Sequence, residues 1–590
     1  METPQDEARA LIDRVWDAVV VGTGIGGATL GHALAQAGLS VLFLERGQFN
    51  GAAGSIAGGW LEALVPARPE GPNSEERRRA GRLDAPISDV SSGEAKPILP
   101  LLGIGTGGSS ALYGMVMERF FPSDFTPGDW FPKSGGANLP ERWPVSYDEM
   151  APFYARAEAL YGVRATPDPL HECAGARGIK EPPPLHAVSR ELAQGLRGRG
   201  LHPYHVPMAC EYRDGCRECL GFLCPMACKN DSARACLKPA LASGKAHLLT
   251  GCTVERIRAR DGEAVGAEAS WQGETVFIKG RIVALAAGAV HSPALLLRSG
   301  GAGGLANGSG QVGRNLMRHL IDYYLVRTRA RAEPGPVKQL ALNDFYHHEG
   351  TKLGTLQANG RMPPARIVAA GLRADWRPHI GPFDALWPLA RPAVEWQVAR
   401  MLRRSHIFVS FLEDLPHAEN RITLGEDGRA IRLAYKIPPA DHERLARFRR
   451  LIGQSLSDFR VRPIHRAHLN AMLGHVCGTC RFGDDPATSV LDRNNRTHEV
   501  ANLYVVDASF LPTSGGTNPL LPLPPTRCAS PKPCCGRFSP DLRKRLRPAE
   551  RGTPVSDART VYALRCCPFR SRSGPQARHS CKCPCKVSTP

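Results

Sequence analysis

Three glycines and an acid near the N-terminus have the spacing of a nucleotide-binding turn. Gly22, Gly24 and Gly27 follow the pattern Gly-x-Gly-x-x-Gly. Glu45 ends the next apolar run. Glycines at this spacing permit a tight turn, a close approach of the backbone to a pyrophosphate, and close packing of a helix on a strand. The acid can accept hydrogen bonds from ribose hydroxyls and would repel a 2′-phosphate, so the pattern predicts binding of FAD or NAD rather than NADP.

These residues need a strand, a turn and a helix to position them. The β-branched run 16–21 (WDAVVV) predicts a strand directly before Gly22, and 28–39 has helical periodicity. The run 41–44 predicts a second strand, which ends at Glu45. In such a unit the helix N-terminus faces the phosphates. No second fingerprint follows a strand further along the sequence, which favours a single, tightly held cofactor.

The composition is that of a globular protein. The chain has 590 residues, of which 42% are apolar and 22% charged, and this excludes a disordered chain. The longest apolar stretch, 282–290, is far shorter than the ~18 residues that a bilayer span needs. The first residues lack the apolar segment of a signal peptide. We therefore expect a soluble, cytoplasmic protein without a membrane span.

Charge and cysteines are concentrated near the C-terminus. Residues 522–590 carry +12 of the net charge of +19 and 8 of the 18 cysteines. Their prolines and their lack of periodicity predict a disordered basic tail. Because the rest of the chain carries little excess charge, we expect no nucleic-acid partner.

Four further segments carry recognisable patterns. They read GIGTGGSSALYGMVMER at 103–119, RIVALAAGAVHSPALLLRSG at 281–300, HVCGTCRFGDDPATSVLD from His475, and NLYVVDASFLPTSGGTNP up to Pro519. The first has a backbone that a ring system could approach closely, and the second predicts a buried strand, a turn of small residues and a helix. In this order, from about residue 16 to residue 521, the chain resembles the glucose–methanol–choline (GMC) family of FAD-dependent oxidoreductases.

The resemblance implies a set of FAD-binding residues. Its positions are Gly22, Gly24, Gly27 and Glu45 in the ADP-binding turn, Gly105, Gly107, Gly108 and Ser109 in the loop beneath the flavin, Val254 beside adenine, and Asp507 near the flavin or its ribityl chain. Some family members attach FAD through a histidine in that loop. Since no histidine lies between Gly107 and Met117, we expect non-covalent FAD.

The resemblance also implies an active site that oxidises an alcohol. His475 stands at the position of the family's active-site histidine, and Asn518 at that of a second residue, which is His or Asn. Oxidation removes a hydroxyl proton and a carbon-bound hydride, and the flavin takes the hydride. His475 is the expected base because histidine titrates near neutral pH. Asn518 can donate to the substrate oxygen and orient it.

The motifs name neither the substrate nor the electron acceptor. We expect a small-molecule alcohol as the substrate, and oxygen or a redox carrier as the acceptor. His465 and His498 lack a comparable sequence context and are expected to be structural.

Six cysteines lie within 210–236, among them Cys219, Cys224 and Cys228, which have x4 and x3 spacing. Iron–sulfur sites favour cysteines close together on one loop, and some GMC dehydrogenases with a 3Fe–4S cluster have a similar spacing. Such a cluster would pass electrons to a quinone or cytochrome. A disulfide and packed thiols without a cofactor are the two other interpretations.

The sequence departs from the family pattern after Pro519. There the family has a helix whose N-terminal dipole can stabilise negative charge on reduced flavin. The proline-rich stretch from residue 522 cannot form this helix, whereas a shifted reading of GC-rich codons can give TAADALRVAEALLR. We therefore predict that residues from about 522 onward are out of frame. A non-catalytic product of a frameshifted gene is the alternative to an enzyme.

These observations predict an α/β fold. It combines a discontinuous Rossmann-like FAD-binding domain with a sheet-containing substrate domain. The predicted divisions are 1–165 and 230–320 for two parts of the FAD domain, 166–229 for a cysteine-rich insertion, 321–465 for the substrate domain, 466–521 for a C-terminal catalytic segment, and 522–590 for the tail.

Overall fold

A computed structural model describes residues 5–66, 68, 70–131, 136–171, 178–330, 335–361, 363–402 and 405–518. The predictions for the tail at 522–590 lie outside the described residues. None of the helices in the described part of the chain combines the length and apolarity that crossing a bilayer demands.

The described residues form both helices and strands. The helices are α1 (Gln5–Asp13), α2 (Ile25–Gln36), α3 (Leu61–Leu64), α4 (Ser74–Arg79), α5 (Tyr147–Tyr161), α6 (Ala187–Arg197), α7 (Lys238–Ala242), α8 (Gly288–Arg298), α9 (Ala365–Ile380), α10 (Trp387–Leu402) and α11 (Pro439–Ser455). The strands are β1 (Val15–Val21), β2 (Val41–Glu45), β3 (Ile87–Asp89), β4 (Lys96–Ile98), β5 (Tyr204–His205), β6 (Ala246–Thr250), β7 (Cys252–Arg260), β8 (Glu263–Trp271), β9 (Glu274–Leu285), β10 (Leu320–Arg327), β11 (Leu340–Leu342), β12 (His347–His348), β13 (Thr351–Lys352), β14 (Gly354–Gly360), β15 (Ser405–Leu412), β16 (Arg421–Leu424), β17 (Ile431–Ala434), β18 (Arg460–His465) and β19 (Leu503–Val505).

The first sheet contains the predicted strand–turn–helix unit. Its order is β6-β2-β1-β9-β8-β7, and β19 also pairs with β9. The pairs among β6, β2, β1, β9 and β19 are parallel, whereas β7 and β8 extend the sheet in antiparallel fashion. The strand β2 is fully buried, as expected for a parallel strand covered on both faces. Helix α2 packs closely over it because Gly31 leaves room for the ring of Phe43.

The second sheet has the order β18-β10-β15-β14-β11-β5, and its neighbouring strands are antiparallel. Leu356 and Phe408 point from one face into a core that includes Phe448 of α11. The opposite face carries Gln357 opposite Val409, and Thr355 opposite Phe411. Side chains alternate between the two faces of a strand, so these residues share one face, which we call the active face.

The described fold confirms the prediction of an α/β protein with a sheet-containing second part. Strands of the first sheet come from 15–45, 246–285 and 503–505, which are far apart in sequence. Strands of the second come mainly from 320–465. The domain boundaries stay predictions.

Candidate active site

The glycine turn joins β1 to α2, and the surroundings of its glycines differ. Gly22 has φ +100°, and a Cβ there would lie 2.5 Å from the carbonyl oxygen of Ala286. A Cβ on Gly27 would lie 2.2 Å from the carbonyl oxygen of Gly22. At Gly24, by contrast, nothing comes closer than 4.0 Å. The turn is therefore closed on the protein side and open at Gly24, where a pyrophosphate can approach the helix N-terminus.

A glycine is also required at position 26, which the Gly-x-Gly-x-x-Gly pattern does not include. A Cβ at this position would lie 1.8 Å from the carbonyl oxygen of Val506. This contact brings the residue before Asp507 against the start of α2. The segment near residue 507 and the N-terminal turn therefore form one structure, although they are almost the whole described chain apart.

Glu45 ends β2 with a buried side chain that binds the turn. Its Oε2 accepts hydrogen bonds from the hydroxyl of Thr23 at 2.6 Å and from its backbone N–H at 3.2 Å. Its Oε1 accepts from the backbone N–H groups of Gly47, at 3.0 Å, and Gly105, at 3.1 Å. The carboxylate thus ties the first turn to the second glycine loop.

The second glycine loop, residues 105–109, lies across the first turn. A Cβ on Gly108, which has φ +50°, would be 3.1 Å from the Cα of Gly24. Gly107 also has a left-handed backbone, with φ +90°. The hydroxyl of Ser109 accepts a hydrogen bond from the N–H of Gly103 at 3.0 Å and closes the loop on itself. The predicted residues Gly105, Gly107, Gly108 and Ser109 thus lie beside the nucleotide turn.

The two remaining predicted cofactor residues border the same region. Asp507 accepts hydrogen bonds from the N–H groups of Gly288 and Ser509, at 2.9 and 3.0 Å, and burial raises its pKa. Val254 lies in β7, near whose start the N–H of Gly251 donates to the carbonyl of Gly47 at 3.2 Å. The residues around the two glycine loops fit FAD. Backbone atoms close the first turn at Gly22 and Gly27, whereas the turn stays open at Gly24.

The candidate base His475 forms a pair with a second histidine. The Nδ1 atoms of His475 and His319 lie 2.8 Å apart, and Nε2 of His319 lies 2.8 Å from the carbonyl oxygen of Gly515. His319 is fully buried, whereas His475 is partly exposed. The ring of His475 also lies 5.1 Å from that of Phe411 on the active face. His475 has φ +58°, a left-handed conformation that is uncommon for non-glycine residues, although histidine adopts it more often than most.

The protonation of this pair follows from its partners. A carbonyl oxygen only accepts, so Nε2 of His319 must carry a hydrogen. Burial lowers the pKa of His319 to about 4, so the ring is neutral and its Nδ1 is an acceptor. His475 must then donate from Nδ1. Burial, with His319 and Lys338 as lesser causes, lowers the pKa of His475 well below 6.5. The hydrogen-bond network therefore assigns an unprotonated Nε2 to His475.

Asn518 is held in place from the active face. Its Oδ1 accepts a hydrogen bond from Nε2 of Gln357 at 2.6 Å, and both side chains are buried. Its Nδ2 has no hydrogen-bond partner among the described residues. Because His319 binds Gly515 in the same loop, the structure brings the His475 pair and the Asn518 loop to one side of the second sheet.

A buried ion cluster supports this loop from behind. The ammonium group of Lys352 pairs with Asp124 and, at 2.7 Å, with Glu413, and all three side chains are fully buried. Burial alone would lower the pKa of Lys352, but the two carboxylates outweigh it and raise the pKa. Tyr346 donates to Asp124 at 2.7 Å and accepts from the N–H of Gly516 at 2.8 Å. Gly516 is therefore anchored to a cluster with little freedom to move.

The cysteine cluster does not form a metal site in the described part of the chain, where no group of three ligating side chains could hold a metal ion. All six cysteines of 210–236, including Cys219, Cys224 and Cys228, are free thiols. The Sγ atoms of Cys210 and Cys216 lie 3.8 Å apart. The geometry therefore gives no support to an iron–sulfur cluster.

The fold and the site define a flavin-type oxidoreductase, and sequence comparisons give its family. Residues 16–321 match the N-terminal model of the GMC oxidoreductases, and residues 416–523 match the C-terminal model. The chain belongs to the GMC oxidoreductase family. It is therefore an enzyme that acts on CH–OH groups and uses FAD.

The chain is similar to individual relatives over most of their length. The chain is 29% identical to paromamine 6'-oxidase of Streptomyces fradiae, with 89% of this chain and 92% of that protein covered. It is also 29% identical to 2-methyl-1,2-propanediol dehydrogenase of Mycolicibacterium austroafricanum, with 91% and 98% covered. The crystal structure of pyridoxine 4-oxidase from Mesorbium loti has the same fold, with a TM-score of 0.55 at 19% identity and coverage of 86% and 97%.

Proposed function

We propose that the protein oxidises an alcohol to a carbonyl compound, with His475 as the base that takes the hydroxyl proton. The observation that carries this proposal is the hydrogen bond between His475 and His319, which leaves Nε2 of His475 as the accepting atom. FAD, when bound, supplies the acceptor for the two electrons of the hydride. The low pKa of His475 keeps its ring neutral at neutral pH.

His475 and Asn518 would divide the handling of the substrate oxygen. Nε2 of His475 accepts the hydroxyl proton from a substrate oxygen within about 2.6–3.2 Å. Because burial disfavours the imidazolium, His475 is a weaker base than a histidine that titrates near neutral pH, which the sequence led us to expect, and the proton must leave the ring before the next turnover. Nδ2 of Asn518 donates to the same oxygen, since Gln357 occupies its Oδ1. This hydrogen bond fixes the orientation of the carbon–hydrogen bond to be broken.

We further propose that FAD is bound without a covalent bond. Gly24 would lie against the pyrophosphate of its ADP portion and Gly108 beneath the flavin, with Asp507 nearby. The carboxylate of Glu45 already accepts four hydrogen bonds from Thr23, Gly47 and Gly105, so it would act by holding the turn in place. The segment from Gly107 to Met117 contains no histidine that could form a link. Denaturation should therefore release all of the flavin into the supernatant.

Purified full-length protein tests the proposal directly. FAD-loaded protein is mixed without oxygen with monohydric alcohols, diols, sugars and amino alcohols, and loss of the oxidised-flavin absorbance is recorded. We expect at least one alcohol to bleach the flavin and to yield the corresponding carbonyl compound. Reoxidation by air or by an artificial acceptor then separates an oxidase from a dehydrogenase. Failure to take up FAD would instead favour the non-catalytic product of a frameshifted gene.

A further inference from the structure

Gln357 in β14 has one amide atom that no described residue satisfies. Its side chain is fully buried. Its Nε2 donates to Asn518 at 2.6 Å, but its Oε1 has no hydrogen-bond partner among the described residues. Buried polar atoms in proteins are almost always paired. The partner of this atom must therefore come from outside the described residues, and its place beside a candidate active-site residue makes a bound substrate a source of that partner.

The unpaired atom lies on the active face. Gln357 is opposite Val409 in the sheet, and the neighbouring pair on this face includes Phe411, whose ring contacts that of His475. Because Oε1 and Nε2 are bonded to the same carbon, the free oxygen lies next to Asn518. His475, Asn518 and Gln357 therefore border the same region over the sheet.

The neighbours of Gln357 in the sheet cannot supply the missing hydrogen bond. Ala341 and Val409 flank it on the adjacent strands, and neither side chain has a donor. Thr355, the next residue on the same face, donates its hydroxyl to Asn343 at 2.6 Å. Either orientation of the two amide groups leaves one atom of Gln357 unpaired, and a hydroxyl group can pair with both orientations because it donates and accepts.

We propose that Gln357 binds a second hydroxyl group of the substrate, on a carbon near the one that is oxidised. The proposal rests on the proposed function and narrows its substrate class to diols and other polyols. Gln357 is then a specificity-determining residue that uses both ends of its amide. One end orients Asn518 and the other selects the substrate.

The test uses FAD-loaded full-length protein and two pairs of alcohols that differ by one hydroxyl: 1,2-propanediol with 1-propanol, and 1,2-hexanediol with 1-hexanol. The second-order rate constant of anaerobic flavin reduction is measured for each. We expect each diol to react about tenfold faster than its partner, because one hydrogen bond between neutral groups is worth about that factor. In Gln357→Met, a change to a side chain of similar shape without an amide, this preference should fall to about one.

The ratio of the rate constants for diol and monohydric alcohol, rather than either rate constant alone, is the readout, because Gln357 also holds Asn518. Gln357→Asn, which withdraws the amide by one methylene, is a second variant expected to lose the preference. Ser410→Ala, on the opposite face of the same sheet, is the matched control and should retain it.

Three results would overturn the proposal. Equal rates for diol and monohydric alcohol in the wild type would show that no second hydroxyl is recognised. A Gln357→Met protein that is slower with both alcohols but keeps the preference would leave Gln357 only the positioning of Asn518. A flavin that is reduced neither by these four alcohols nor by the sugars and amino alcohols of the wider set would instead contradict the proposed function, and the proposal with it.

Discussion

The Nδ1 atoms of His319 and His475 are hydrogen-bonded at 2.8 Å, and this contact determines which nitrogen of His475 can accept a proton. The carbonyl oxygen of Gly515 fixes the hydrogen of His319 on Nε2. The neutral His319 ring then takes the Nδ1 hydrogen of His475. His319 is fully buried and lies 156 positions from His475 in sequence. It would thus prepare the base for its reaction.

The first prediction concerns removal of His319. His319→Leu deletes the acceptor for the Nδ1 hydrogen of His475, so the ring loses its fixed tautomer. We expect the rate of flavin reduction to fall by about 10–100-fold, the loss that is typical when the hydrogen-bond partner that orients a metal-binding histidine is removed. His319→Asn, whose side-chain oxygen can lie near the position of Nδ1, should recover part of the rate.

The pH dependence of the same rate separates positioning from general loss of structure. In the wild type, the rate should stay level from neutral pH to well below pH 6.5, because the pKa of His475 is lowered by burial. In His319→Leu, the pH below which the rate of flavin reduction begins to fall should differ from that of the wild type. A variant with a lower rate but an unchanged pH profile would contradict the assigned tautomer.

Stability should also depend on His319. Its pKa is about 4 in the folded protein, against about 6.5 in an unfolded chain. Above pH 6.5 the ring is neutral in both states and the shift contributes nothing. As the pH falls from about 6.5 towards 4, only the unfolded chain binds the proton, so the free energy of unfolding falls by up to about 3 kcal/mol.

Urea unfolding at a series of pH values checks this linkage. His319→Asn lacks the titrating group, so its stability should decline less steeply below pH 6.5 than that of the wild type. Parallel curves for the two proteins would show that His319 does not have a lowered pKa.

Gly24 allows the cofactor site to be tested apart from the fold. An alanine side chain fits there without a protein contact closer than 4.0 Å, at a φ of −62°. Gly24→Ala should therefore leave the apoprotein as stable as the wild type but weaken FAD binding, because the new methyl group occupies the approach of the pyrophosphate. Gly303→Ala, where nothing lies within 4 Å, is the control and should bind FAD normally. Equal FAD affinity in both variants would contradict the placement of the pyrophosphate at Gly24.

The nucleotide turn was predictable because its determinants are local. The run before Gly22, the helix after Gly27 and the acid at the end of β2 lie within a short stretch, and the structure places them as one unit. The family resemblance likewise predicted the α/β fold with its second sheet. Gly26 was missed as a packing requirement because its constraint comes from Val506, at the other end of the described chain.

The partners of the candidate catalytic residues were not predictable from sequence. His319 lies in the stretch QVGRNLMRHL at 311–320, but nothing in that stretch reveals a contact with a residue 156 positions away. Gln357 meets Asn518 only because of the strand register that puts it on the active face. The sequence of β14, GTLQANG, contains Thr355 and Asn359 as well as Gln357 and so did not single out Gln357.

The end of the gene is open to a separate test. The family match ends at residue 523, next to the predicted change of frame at about 522. Resequencing the 3′ end should reveal a frame that continues with an alanine- and leucine-rich helix in place of the proline-rich stretch. An intact frame with a confirmed stop codon after Pro590 would contradict this prediction.

The most direct test of the proposed chemistry is the rate of anaerobic flavin reduction by an oxidisable alcohol in His475→Asn. Asparagine tolerates the left-handed backbone at this position, so the change removes the base and spares the fold. We predict a decrease of about 10²–10⁴-fold, the usual contribution of a positioned base, with FAD content unchanged. His465→Gln, in β18, is the control and should react at the wild-type rate. A His475→Asn protein that reduces its flavin as fast as the wild type would contradict the assignment of His475 as the base.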